Sequence, residues 1–233
     1  MRRFESPAPS VPARTVAAIG LFAALLVACD AGFTSPFASF DARCAKLAPT
    51  RFNVVVVPLT YAVDTSKTID ELTVMGGNTP ATHATFGLTT VRFGHETDTA
   101  VKVVEDSAGT RACASAEVNV ALSMQPVLVH VARELVRTPC AHDATLSHEL
   151  KHVASFRAVL DEAKRDLDAD LADAIGIDRR FGKDGPSLKT AINAQVQAYL
   201  SVFVKQWHKE MMSRQGNVDT EEEYRRVATS CPR

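Results

Sequence analysis

Residues 143–175 contain neither Gly nor Pro, and this stretch limits the fold more than any other part of the chain. Leu146, Leu150, Val153, Leu160, Leu167 and Leu171 recur within it at helical spacing, so it reads as one long amphipathic helix. Asp143 is placed to cap its start and Gly176 to end it. An apolar stripe of that length needs a partner surface. A second helix, expected from Pro186 to Gln215 with Gly216 as its stop, offers Leu188, Ile192, Val196, Tyr199, Phe203 and Trp207. A short final helix is expected after Thr220, because Thr220-x-x-Glu223 has the form of a capping box.

Ahead of these helices the period changes. Val118, Val120, Leu122 and Met124 alternate with Glu117, Asn119, Ala121 and Ser123, the period of a strand with one buried face. Phe52 to Val63, Thr85 to Phe93 and Thr99 to Val104 are rich in β-branched residues, with Gly76-Gly77-Asn78 and Gly109 as turns. Val127 to Val131 fits either a further strand or the start of a short helix. The expected fold class is therefore α+β, with N-terminal antiparallel strands followed by two long antiparallel helices. At 46% hydrophobic residues the chain has material for a sizeable core, and a net charge of −1 gives no basic excess for nucleic acid.

Arg2, Arg3 and Arg14 precede an uncharged apolar run from Val16 to Val27. That run is too short to span a bilayer, which takes about 20 residues, and it has the form of an export signal. The residues Leu26-Val27-Ala28-Cys29 that follow resemble the lipobox of bacterial lipoproteins. The resemblance implies removal of residues 1–28, acylation of Cys29 and a lipid anchor in the bacterial cell envelope, with the protein facing the periplasm. An ordinary export signal would leave the protein secreted. Residues 29–43, with small side chains, Ser and Pro36, read as a tether, and residues 44–233 as the working domain. Cys44, Cys113, Cys140 and Cys231 remain, an even number that in an exported chain reads as two disulfides. Cys113–Cys140 and Cys44–Cys231 is the favoured pairing. It ties a strand start to the start of the key helix, and one end of the domain to the other.

His148-Glu149-Leu150-Lys151-His152 is an HExxH sequence inside the first long helix. Two His four residues apart share one helix face, so both imidazoles can reach one zinc ion, with Glu149 beside them. Such a metal lowers the pKa of its bound water, and the carboxylate takes the proton as that water attacks a carbonyl. Here the chain resembles the zincin metalloproteases, and more loosely uncharacterised bacterial secreted proteins predicted to be zinc-dependent proteases. The resemblance covers roughly Ala112 to Ile175 and includes export, a Cys ahead of alternating strands, and a second Cys ahead of the HExxH helix. It implies a zincin-like metallopeptidase domain with Zn2+ as cofactor, His148 and His152 as ligands and Glu149 as general base. It also implies a peptide or protein substrate in the envelope, bound by strand addition to the sheet. Lys151 departs from the family pattern, which has an uncharged residue there. The alternative is a non-catalytic zinc-binding envelope lipoprotein that acts through protein interactions.

The third ligand is less legible. Ala158 stands six residues after His152, which excludes the three-His metzincin motif. Glu162 is ten residues from His152, about 15 Å along an unbroken helix. His152 precedes Gly176 by 24 residues (176 − 152), and Glu210 follows Pro186 by the same 24 (210 − 186). Antiparallel packing would then bring Glu210 and nearby His208 level with the motif. The sequence leaves His208 and Glu210 as alternatives, both ahead of Glu162. Glu221, Glu222 and Glu223 read as acids that suit a helix N-terminus.

Overall fold

The computed structural model describes residues 39–79 and 84–232. The expected export signal, the Cys29 lipidation site and residues 29–38 of the tether lie outside the described residues. Among the described residues no helix is long and apolar enough to cross a membrane.

The class is α+β, as the sequence implies, and the sheet is built on one strand. This is β4, Ala112–Val131, with which every other strand among the described residues pairs. Strand β3, Gly87–Glu105, runs antiparallel along one side of it. The other side takes three short strands in line: β5 (Arg180–Gly182), β1 (Arg51–Val56) and β2 (Tyr61–Asp64). The sheet is mixed rather than wholly antiparallel, because β1 and β2 run parallel to β4. Parallel neighbours need a crossover connection. The chain between β2 and β3 provides it and includes helix α2, Ile69–Met75.

β1 and β2 share one register. Arg51 pairs with Glu117 and Asp64 with His130, an offset of 66 in both cases (117 − 51, 130 − 64). The expected run from Phe52 to Val63 is thus one strand line, interrupted around Pro58. Pro126 stands opposite that gap, and neither proline has an N–H for the ladder. The Gln125 side chain closes it by donating to the Pro58 carbonyl at 2.6 Å. From Ala116 to Met124 burial along β4 falls on even-numbered residues, and from Val127 it falls on odd-numbered ones with His130 buried as well. The register with β3 slips between Val91 and Phe93, opposite Gln125-Pro126. A bulge there shifts the alternation by one residue and keeps Val127 and Val129 facing the core. Val127 to Val131 is accordingly strand, and the two β-branched runs beyond Thr85 are parts of a single β3.

Two helices cover the buried face of the sheet. Helix α3 is Pro139–Ile175 and α4 is Gly185–Val218. Val153, Phe156, Leu160, Leu167 and Leu171 of α3 join Leu188, Ile192, Val196, Leu200 and Trp207 of α4 against β4. Each fully buried Leu of this set contributes roughly 1.5–3 kcal/mol. The helices are antiparallel, since His152 meets Gln215 while Ala174 meets Gln195. Helix α3 starts at Pro139 rather than Asp143, because a proline in the first turn gives up no helical hydrogen bond. Gly176 ends it at φ 87°, a left-handed conformation that favours glycine. Helix α4 is capped by Asp184 and runs through Gly216, past its expected stop.

Two disulfides form, but not in the favoured pairing: the bridges are Cys44–Cys113 and Cys140–Cys231. Cys113 lies at the start of β4, and Cys140 follows its far end at Val131. Those 18 residues of strand (131 − 113) span roughly 60 Å, which no disulfide bridges. Cys113 instead meets helix α1, Phe40–Ala45. The Arg43 side chain of α1 donates to the Glu105 carbonyl and its Asp41 pairs with Arg111. Residues 40–43 therefore belong to the folded unit and not to the tether. The last helix, α5 (Glu221–Thr229), returns Cys231 to the start of α3.

Candidate metal centre

His148 and His152 lie on one face of α3 with their ring centroids 5.1 Å apart, as the HExxH spacing requires. Both are buried, at 5% and 8% exposure. Each ring is held through its Nδ1. His148 Nδ1 is 3.3 Å from Glu223 Oε1, and His152 Nδ1 is 2.7 Å from Gln215 Oε1. An acceptor on Nδ1 selects the tautomer whose Nε2 carries a free lone pair. The two Nε2 atoms point to a common partner, Asp219, whose Oδ1 is 3.3 Å from His148 and 3.2 Å from His152. His148, His152 and Asp219 offer three donor atoms within 4.8 Å of one another, a group that can hold a metal ion. Two imidazoles and a carboxylate suit a divalent first-row metal.

Asp219 arrives there because α4 does not stop at Gly216. It is the residue just past the helix, and its N–H donates to the Gln215 carbonyl. Gln215 in turn bonds both His152 and Ser155, which fixes the end of α4 against the motif. The residue level with His152 is therefore Gln215, five positions (215 − 210) beyond Glu210. That offset takes the expected third ligands out of reach. The His208 ring stacks on Phe93 at 5.0 Å. Glu210 and Glu162 both pair with Arg214, at 2.7 Å and 2.5 Å. The structure brings none of the three to the His pair, and Asp219 stands in their place. Its one signal in the sequence is position, at a helix junction just before the capping residue Thr220.

Electrostatics follow from the shared carboxylate. Burial acts to raise the Asp219 pKa, but hydrogen bonds from the protonated imidazoles of His148 and His152 and from Tyr224 outweigh it and hold the carboxyl well below its usual range. The bond to Asp219 is the largest influence on His148 and raises its pKa against burial. For His152 burial is the largest single influence and works downward, yet Asp219 and Gln215 together leave its pKa raised.

Glu149 is 4% exposed and faces β3, where Thr89 Oγ1 donates to its Oε2 at 2.7 Å. Burial pushes its pKa up, opposed by Thr89 and the two imidazoles. The strand passes this carboxylate closely at Gly87. A Cβ there would lie 2.5 Å from Glu149 Oε1 and 2.7 Å from Thr145 Cγ2.

Lys151, the departure from the family pattern, has a partner of its own. Its Nζ is 2.7 Å from Glu223 Oε1, the same oxygen that faces His148 Nδ1. Arg226 holds Glu223 as well, and with Lys151 keeps the carboxyl well below its ordinary pKa. Only half of the expected capping box forms. Thr220 accepts from the Glu223 N–H, while the Glu223 side chain is turned to the metal centre.

No protein-family model matches the chain, and no curated protein or solved structure shows significant similarity to it.

Proposed function

We propose that the chain is a zinc-dependent peptidase of the bacterial cell envelope, with His148, His152 and Asp219 as zinc ligands and Glu149 as general base. One observation carries the reading, the 3.2 and 3.3 Å separations between the Asp219 oxygen and the two Nε2 atoms. A tetrahedral zinc with bonds of about 2.0–2.1 Å has edges of about 3.3 Å between its ligands. The donor set fits zinc in type, and its two edges at Asp219 match the spacing. Three protein donors leave a fourth position for water or substrate, the pattern of a catalytic rather than a structural site. When bound, zinc would lower the pKa of a water and polarise a carbonyl.

The rest is done by the chain. Burial makes Glu149 a stronger base than a solvated carboxylate, and Thr89 fixes one of its oxygens. Gln215 and Glu223 keep both rings in the coordinating tautomer. Among the described residues β3 pairs with β4 alone, so its other edge carries no strand, as addition of a substrate backbone beside Glu149 would require. The Cys29 lipobox resemblance and two disulfides support an envelope location with a peptide or protein substrate there.

The test pairs zinc content with peptide hydrolysis on the same preparations. Glu149→Gln should retain zinc and lose about 10²–10⁴-fold in rate, roughly 3–5 kcal/mol of barrier. His148→Ala, His152→Ala and Asp219→Ala should lose the metal, while His208→Ala and Glu210→Ala keep it. A wild type without zinc sinks the reading. The near-complete burial of both imidazoles favours a second one, a non-catalytic zinc-binding lipoprotein acting through protein interactions. Zinc bound with no hydrolysis of any peptide library, and a silent Glu149→Gln, would select it.

A further inference from the structure

Helix α5 lies over the His pair. The Tyr224 ring is 5.6 Å from the His148 ring, and Glu223 of the same helix turn reaches His148 and Lys151. Yet α5 has no fully buried residue, and its apolar hold on the rest of the fold is limited to half-buried Val227 and the Tyr224 ring. What fastens it is polar or covalent: Glu223 to Lys151, the Tyr224 hydroxyl to Asp219, and Cys231 to Cys140. Lys151 is half-exposed, so its ion pair with the mostly covered Glu223 is of modest worth. Elements with few buried apolar contacts open locally at low cost. The covalent tie is thus the strong one.

The backbone that carries the ligands lies outside α5, which adds Glu223 on His148 Nδ1 and Tyr224 on Asp219. His148 and His152 belong to α3, and Asp219 is held at the end of α4 by the Gln215 carbonyl. Moving α5 would remove those two contacts and uncover a His–His–Asp group whose backbone stays anchored on two helices joined by the main core.

The two disulfides also differ in access. Cys44 and Cys113 are 3% and 0% exposed, whereas Cys140 is exposed and Cys231 partly so. A thiol reductant reaches the second bridge and not the first.

We propose that α5 is a lid closed over the metal centre and that the Cys140–Cys231 disulfide is its redox latch. This rests on the zinc reading above. In the latching chemistry a thiol reductant attacks one sulfur of the bridge, and a second equivalent displaces the mixed disulfide. The S–S bond ends as two protein thiols, and the reductant leaves as its own disulfide. With the latch open, the contacts of Glu223 and Tyr224 lose the high effective concentration that the bridge confers. The lid then swings away and exposes the ligands to solvent and substrate.

The experiment uses the full chain, zinc-loaded, with both bridges formed. Mild thiol reduction should add two alkylatable thiols per chain to whatever Cys29 contributes, and Cys140→Ser/Cys231→Ser provides the same open state without reductant. Zinc should pass to a chromogenic chelator about tenfold faster or more from either open form, the order expected when a tether over a local opening is removed. Equal transfer rates from closed and open forms overturn the lid. Hydrogen exchange at Glu221–Thr229 judges it without metal: protection lost on opening supports it, protection retained overturns it. Absence of zinc from the wild type defeats the metal reading alone, and exchange then decides the latch separately.

Discussion

Asp219 sits between two Nε2 atoms, and this sets how the metal-free protein answers to pH. Both imidazoles have pKa values raised above the ordinary 6.5. A raised folded-state pKa means that protonated rings stabilise the fold. That contribution is fully present below about 6.5 and is lost as pH rises through the higher folded values. Metal binding works in the opposite sense, because it needs the rings deprotonated. Thermal unfolding across about pH 6 to 9 should therefore show two slopes. Stability of the metal-free form should fall as pH rises, and that of the zinc-loaded form should climb. Parallel curves would refute the linkage. The His pair and Glu149 were legible in the sequence because a spacing of four on one helix needs no tertiary knowledge. Asp219 was not, since its position depends on where α4 ends and on the register between two helices. Lys151 looked anomalous only while its partner, 72 residues away, was unknown.

At the scale of elements, the close pass of β3 over α3 is the feature that positions Glu149. Gly87 allows it, and a methyl group there would overlap a buried carboxylate already held by Thr89. Gly87→Ala should cost about 1–3 kcal/mol through overpacking. It should also lower peptide hydrolysis with zinc content unchanged, because it displaces Glu149 and not the ligands. Denaturant unfolding and metal analysis on one preparation check both halves, and full activity in a stably folded variant would contradict the placement. The elements themselves were mostly readable. The period-two run from Val118 to Met124 and the Gly-free helix stood out because each buries one face. The parallel partners of β4 did not, because strand direction is set by a crossover that leaves no periodic mark. The change of alternation at Gln125-Pro126 was hidden for a similar reason, as a bulge shifts the pattern by one residue instead of breaking it.

For the molecule as a whole, the two bridges should differ in what they hold. Cys44–Cys113 closes a span of 69 residues within a buried core, and its removal as Cys44→Ala/Cys113→Ala should cost about 2–5 kcal/mol in urea unfolding. Cys140–Cys231 closes a longer span of 91, but opening it should cost less. The freed C-terminal segment gains freedom in the folded state too, which offsets part of what the unfolded chain gains. A larger loss from the second bridge would mean that α5 is integral to the core. The pairing was unreadable from the sequence because it depends on which end of a 20-residue strand each cysteine occupies.

That strand has a further consequence, in time. Among the described residues, strands β1, β2 and β3 find their pairing edges only on β4. A chain emerging amino end first adds roughly 5–20 residues per second, so these segments spend several seconds with no strand to join. The sheet assembles all at once when its hub arrives, through contacts distant in sequence, the slow kind. Until then the leading half stays threadable, which would suit the export proposed above.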